Sequence, residues 1–304
     1  MRTLKAALAL LIITLSFLSG QAQTRFDNLE FKQFSTPEGL PNSMVHQVYQ
    51  DRDGYIWIST FYGLFRYDGY EVRTYKSNLY TPGLLVNNNV ICVEEDYSHR
   101  LWIGTHEGLC VLDKRTGKMR KMKLEGISKH RLNEIHVTKD NKVYLGYIRG
   151  MACYNAELDT LELMTSKNCK GEVPEQINIQ TLLEDENGDL LIGTWQDGLF
   201  HYNIKENKFI HYPPLDESNS VLALFQDSKG ALWIGTSGSG LYKVNFSPDK
   251  KILSVEKAYK HDALNTLSLS SDYIYSIHED LQTHSLWLGT RNGVSIMDLT
   301  DEGK

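Results

Sequence analysis

Few residues of this 304-residue chain stand at spacings that chemistry requires. His278-Glu279, followed by His284, comes nearest to a zinc pair. A zinc helix needs His-Glu-x-x-His to bring both imidazoles to one face, and this run falls in a strand-to-turn region. No Gly-x-Ser-x-Gly elbow presents a nucleophilic serine, and no phosphate loop is present. Gly235 to Gly240 is rich in Gly and Ser, but no helix follows to hold a phosphate at its N-terminus. Glu94-Glu95-Asp96 and Glu184-Asp185-Glu186 supply paired carboxylates of the kind that hydrolyse glycosides. They recur at one place in a repeat, at the end of an apolar strand, as turn acids do. The expectation is a non-enzyme, with no catalytic residue, no metal ligands and no cofactor.

Binding is easier to place. One set of loops holds Phe61 and Tyr62, His106 and Glu107, Ile148 and Arg149, Trp195, Gln196 and Asp197, Ser237 to Ser239, and Arg291 and Asn292. A second set is polar and Asn-rich: Asn42, Asn87 to Asn89, Asn133, Asn178, Asn219 and Ser271. Aromatic faces stack on sugar rings, and amides, guanidinium groups and carboxylates satisfy sugar hydroxyls. The expected ligand is an oligosaccharide, bound by Phe61, Tyr62, His106, Arg149, Trp195, Gln196, Asp197, Arg291 and Asn292. Ordinary loop composition is the competing reading. A second copy of the chain is the other partner considered.

The elements that position these residues come from an internal repeat. A short motif recurs at Trp57-Ile58-Ser59-Thr60, Trp102-Ile103-Gly104-Thr105, Tyr144-Leu145-Gly146-Tyr147, Leu191-Ile192-Gly193-Thr194, Trp233-Ile234-Gly235-Thr236 and Trp287-Leu288-Gly289-Thr290. The spacings are 45, 42, 47, 42 and 54 residues. Each motif is followed by a glycine (Gly63, Gly108, Gly150, Gly198, Gly240, Gly293), and five residues later by Asp or Asn. The aromatic-aliphatic run is rich in strand formers. Its interior glycine admits a close approach by a neighbouring backbone or ring. The later glycine suits a tight turn, and the Asp or Asn suits the next one, bonding its own backbone.

An apolar strand precedes each motif, as at Val45–Gln50, and a short strand follows the Asp or Asn, as at Lys208–Tyr212. Four strands per unit of about 45 residues predict an all-β fold, a β-propeller of about six four-stranded blades. In a propeller the two loop sets share a face. The last unit stops after its third strand, so Leu29–Ser35 near the N-terminus is expected to supply the fourth and close the ring.

Residues 1–22 read as a secretory signal peptide, with Arg2 and Lys5 ahead of the apolar run Ala6 to Leu18 and small residues before a cleavage point after Ala22. That run rises about 20 Å as a helix, short of a roughly 30 Å hydrocarbon core. The expected mature unit is a propeller over residues 23–304, periplasmic and without a membrane span. A formal charge of −6 argues against nucleic acid, whose affinity rests on Lys and Arg. Cys92, Cys110, Cys153 and Cys169 show no CxxC spacing and are expected to be buried, inert thiols.

The stretch Phe34-Ser35-Thr36-Pro37-Glu38-Gly39-Leu40-Pro41-Asn42-Ser43, continued through Asp53-Gly54-Tyr55-Ile56-Trp57-Ile58-Ser59-Thr60 and Gly63-Leu64-Phe65-Arg66-Tyr67-Asp68-Gly69-Tyr70, resembles the opening of the two-component regulator propeller family. The resemblance covers about residues 26–299; Tyr144 and Leu191 depart from the Trp of the motif. It implies a periplasmic sensor, commonly of glycan breakdown products. Relatives of this kind carry about fourteen repeats, then a membrane helix, a kinase, a receiver and a DNA-binding region. With six repeats and no kinase motif, this chain is expected to be a short or truncated sensor. A stand-alone secreted binding or scaffold propeller is the alternative, and a propeller lyase or glycosidase a weaker one.

Overall fold

The computed structural model describes residues 44–77, 85–122, 131–212, 219–247 and 253–300. The signal peptide, the Leu29–Ser35 strand, the Gly39-Leu-Pro-Asn-Ser entry and Asn42 lie outside the described residues. Six small antiparallel sheets follow one another along the chain, and no helix occurs among the described residues. They form a β-propeller of six blades.

The first blade contains β1 (Val45–Gln50), β2 (Ile56–Thr60), β3 (Gly63–Tyr67) and β4 (Val72–Tyr75), and the second β5 (Val90–Glu95), β6 (Arg100–Thr105), β7 (Gly108–Asp113) and β8 (Met119–Met122). The third is β9 (Leu132–Val137), β10 (Val143–Tyr147), β11 (Gly150–Asn155) and β12 (Thr160–Met164). The fourth pairs β14 (Ile179–Glu184), β15 (Leu190–Thr194), β16 (Leu199–Asn203) and β17 (Lys208–Tyr212). A two-residue strand, β13 (Lys170–Gly171), adds to β17 in parallel; no repeat feature predicts it. The fifth holds β18 (Val221–Gln226), β19 (Leu232–Thr236), β20 (Leu241–Phe246) and β21 (Leu253–Tyr259). The sixth has three strands, β22 (Ile274–Asp280), β23 (Ser285–Thr290) and β24 (Gly293–Asp298).

The turn chemistry follows the repeat. All six glycines after the motif adopt positive φ, from 71° at Gly198 to 144° at Gly108, where a side chain would be strained. Asp68 Oδ1 accepts the Tyr70 and Glu71 N–H groups, and Asp113 Oδ1 those of Arg115 and Thr116.

Apolar side chains collect between blades rather than in one centre. Trp57, Leu64, Val90, Leu101 and Ile103 join blades one and two, and comparable clusters fill the next four interfaces. The motif glycine serves these interfaces differently from the expected contact with a backbone or ring. It receives an aliphatic side chain from the first strand of the following blade. A Cβ on Gly146 would lie 2.6 Å from Ile179 Cγ2, on Gly193 2.6 Å from Val221 Cγ1, and on Gly235 2.8 Å from Ile274 Cγ2.

Inner strands pack in the order β1, β5, β9, β14, β18, β22, and no comparable packing joins β22 to β1 among the described residues. Val45, the counterpart of these plugging side chains in blade one, is 47% exposed, whereas Val90, Ile179 and Ile274 are fully buried. Among the described residues, the atoms nearest to a Cβ on Gly289 belong to Ser276 of its own blade. A groove of about 490 Å³ runs beside β24, between it, β21 and the 265–269 turn.

Candidate functional site

The loop after the second strand of each blade is built by the motif itself. The Thr closing the motif points its hydroxyl at the carbonyl of the next glycine in five blades: Thr60 to Gly63 (2.9 Å), Thr105 to Gly108 (2.8 Å), Thr194 to Gly198 (2.7 Å), Thr236 to Gly240 (2.8 Å) and Thr290 to Gly293 (2.9 Å). The same oxygen accepts a loop N–H, as from Tyr62, Asp197 and Asn292. This side-chain turn sets the loop's shape before any ligand arrives. In blade three, Tyr147 takes the Thr position.

A second bond stitches each loop to the segment entering the first strand. The first loop N–H donates to that segment's carbonyl in all six blades: Phe61 to Met44, His106 to Asn89, Ile148 to Arg131, Trp195 to Asn178, Ser237 to Ser220 and Arg291 to Tyr273. Both loop sets therefore share one face. Neighbouring blades are stitched there too, by Gln176 N–H to Arg149 C=O, Gly198 N–H to Asn219 C=O and Gly240 N–H to Asp272 C=O.

On this face Phe61, Tyr62, His106, Arg149, Trp195, Gln196, Arg291 and Asn292 are exposed and Asp197 is half-buried. Trp195, 40% exposed, is the largest aromatic surface on the fourth blade's loop, beside Gln196 in the left-handed region at φ 75°. Phe61 and Tyr62 meet edge to face at 5.3 Å, and the Arg291 guanidinium lies 5.3 Å over the Tyr273 ring. The stitches bring Arg149, Trp195, Gln196 and Asp197 onto one continuous stretch. Phe61 and Tyr62 stand at one end of the arc, and Arg291 and Asn292 at the other.

The Asn-rich set is largely occupied. Asn133 donates from Nδ2 to Asn178 Oδ1 (2.8 Å) and Ile179 C=O (2.7 Å), Asn88 Oδ1 accepts the Ser77 N–H (2.6 Å), and Asn89 Oδ1 bonds His46 Nε2 (3.1 Å). These amides spend part of their hydrogen-bonding capacity within the protein. The His278-Glu279 run is likewise structural. Glu279 accepts the Ser228 N–H (2.6 Å) and hydroxyl (2.7 Å), tying blade five to blade six.

The inner strands carry a feature that motif reading missed. Each is bulged near its loop-face end, as between Val45 and Gln47 or Ile179 and Thr181. Bulges re-aim side chains. Beyond the bulge, alternate side chains reach the next inner strand and satisfy its N–H groups: Gln47 Oε1 accepts from Val93 (2.6 Å) and the Tyr49 hydroxyl from Glu95 (3.1 Å). Glu94 and Glu134 occupy such positions. Burial lifts the Glu134 carboxyl to about 8. Burial, and then the neighbouring Glu134, push Glu94 well above the usual carboxylate range. Burial lowers the His136 imidazole to about 4. The only sequence signal was Glu134 at a register filled by Thr181, Ala223 and Ser276 in later blades.

Glu134 makes stability depend on pH. A carboxyl raised on folding favours the native state most below its unfolded value, and that advantage is lost as pH rises through its folded value. His136, lowered on folding, opposes this only between its folded value of about 4 and its unfolded value of 6.5. Stability is therefore expected to fall between pH 6.5 and 8. Glu134→Gln should be more stable than the parent by about 2 kcal/mol at pH 8, after allowance for solvent reaching the channel, and by little at pH 5. Urea titrations at the two pH values measure this. A gain that does not depend on pH would rule out titration of Glu134.

This architecture, with blades built on a Trp-Ile-Gly-Thr run and a stitched loop face, defines a repeat β-propeller. Three segments resemble two component regulator propeller repeats: that family's model matches residues 39–62, 84–107 and 216–238, in blades one, two and five. Histidine kinase P4 of Formosa agariphila is 34% identical over 67 residues, covering 22% of this chain and 5% of the kinase. Among solved structures, the extracellular domain assigned to the hybrid two component system BT3049 of B. thetaiotaomicron superposes with a TM-score of 0.70 at 24% identity, over 90% of this chain and 36% of that one. The extracellular domain assigned to the one component system BT4673 of the same organism gives 0.60 at 27% identity, over 84% and 38%. The chain thus spans little more than a third of these domains. No helix among the described residues is long and apolar enough to cross a membrane.

Proposed function

We propose that this chain is a periplasmic ligand-sensing propeller that binds a glycan-derived ligand on its loop face. The observation that carries the reading is the exposed Trp195 ring, held by the Thr194 turn and the Asn178 stitch beside Gln196 and Asp197, with Arg149 on the same face. A pre-shaped loop loses little entropy on binding, and an exposed indole offers a sugar ring a stacking surface flanked by polar groups. The resemblance to extracellular domains of regulatory systems supports a sensing role without chemistry of its own.

Calorimetry with a panel of oligosaccharides tests the proposal. Trp195→Ala and Arg149→Ala are each expected to weaken the best ligand by roughly tenfold or more. Unchanged affinity in both variants would place the ligand elsewhere.

A further inference from the structure

We propose that Asp185, Asp189 and His201 form a buried site for one divalent transition-metal ion of the zinc type in blade four. In three blades the aspartate ending the first strand has a fixed partner across the turn. Asp51 Oδ2 accepts the Trp57 indole N–H at 2.8 Å, Asp96 Oδ2 that of Trp102 at 2.9 Å, and Asp227 Oδ2 that of Trp233 at 2.8 Å. Blade four has the aspartate, Asp185, but Leu191 replaces the tryptophan and brings no N–H. Two residues change together around that loss. His201 sits directly across the strand pair from Leu191, at a register where Val111 and Lys243 stand in other blades. Asp189, four residues past the turn aspartate, replaces Tyr55, Arg100 and Ala231.

The result is two carboxylates turned toward one imidazole. His201 is 2% exposed, and neither ring nitrogen has a hydrogen-bond partner. Its Nε2 lies 3.7 Å from Asp185 Oδ2 and 3.5 Å from Asp189 Oδ2, beyond hydrogen-bond reach. Ligands about 2.0–2.2 Å from a tetrahedral ion stand roughly 3.4 Å from one another, close to the two distances from His201. The carboxylates are also oriented from behind. Asp185 Oδ1 accepts the Asn187 and Asp189 N–H groups (2.8 and 3.1 Å), and Asp189 accepts the Ile204 N–H and the Asn203 amide (both 3.1 Å). Such outer bonds fix ligand geometry in metal sites. Charge agrees as well: two carboxylates and a neutral imidazole balance a doubly charged ion. A lone imidazolium would leave a buried net negative charge, which is costly.

The untagged full chain, stripped with chelator and then equilibrated with zinc chloride, is expected to retain one zinc per chain and to melt at a higher temperature. His201→Leu, which carries the apolar side chain tolerated at this register elsewhere, should fold and retain none. Asp189→Asn should weaken zinc affinity at least about tenfold. In the parent chain, nitrogen-detected NMR should show one His201 ring nitrogen shift to a metal-bound position when zinc is added. An imidazolium unaffected by zinc would overturn the proposal in favour of a plain ion pair. So would a parent chain that retains no zinc, or a His201→Leu chain that retains as much as the parent.

Discussion

Lys114→Met is expected to cost about 3–5 kcal/mol of stability, a large loss for a change outside the apolar interfaces. The ammonium lies in the turn after β7 and reaches Asp51 at 2.8 Å, Asp53 at 2.7 Å and Glu95 at 2.9 Å. The Asp51 and Glu95 side chains are fully enclosed. Each has further duties: Asp51 holds the Trp57 indole and its own turn, and Glu95 accepts the Arg52 N–H. The lysine thus neutralises two carboxylates that position blade one against blade two. Its own pKa is driven upward by these carboxylates, against the opposing pull of burial. Methionine keeps the stem but strands both charges away from water. Urea denaturation of Lys114→Met measures the cost, and adding Glu95→Gln should recover part of it. A loss below about 1 kcal/mol would class the cluster with surface ion pairs.

The second large effect concerns the motif glycines. Gly193→Ala should lower stability by about 3 kcal/mol, because its methyl would lie 2.6 Å from both Thr181 Cγ2 and Val221 Cγ1. At about 2–4 °C per kcal/mol for a domain of this size, the melting temperature should drop by roughly 6–12 °C. Gly289→Ala should cost under about 1 kcal/mol, since among the described residues the nearest group is the small, rotatable Ser276 hydroxyl of the same blade. The pair forms an internal comparison. Equal losses would mean that the blade-six glycine also receives a side chain, and the seam between blades six and one would then be closed.

The fold was legible because repetition multiplies weak signals. One Trp-Ile-Gly-Thr run is a strand and a turn; six at near-constant spacing are a ring of blades. Even Tyr144 and Leu191 could be placed, since glycine, turn and Asp or Asn persist around them. The β13 strand was not legible, because Lys170-Gly171 lies in an excursion between blades that repeats nowhere else. The loop residues were readable as sharing a face, but their framing was not. The stitches are backbone bonds and leave no mark on residue type, and Asn88, Asn89, Asn133 and Asn178 each commit a side-chain atom to a neighbour. Glu94 and Glu134 are forty residues apart in the chain and look like ordinary strand and turn acids until two inner strands bring them side by side. Lys114 is similar: in sequence it is one basic residue in a polar turn, and its three partners lie in two different blades.

The glycine recesses also have a direction. Gly146 accepts Ile179, Gly193 accepts Val221 and Gly235 accepts Ile274, so the recess always belongs to the earlier blade and the occupant to the later one. During synthesis from the N-terminus, each blade reaches a neighbour whose recess has already formed, and nothing made later is needed to seat it. Growth of the ring is therefore expected to run from blade one onward, and Val45 of blade one, 47% exposed, is the side chain left without such a recess among the described residues.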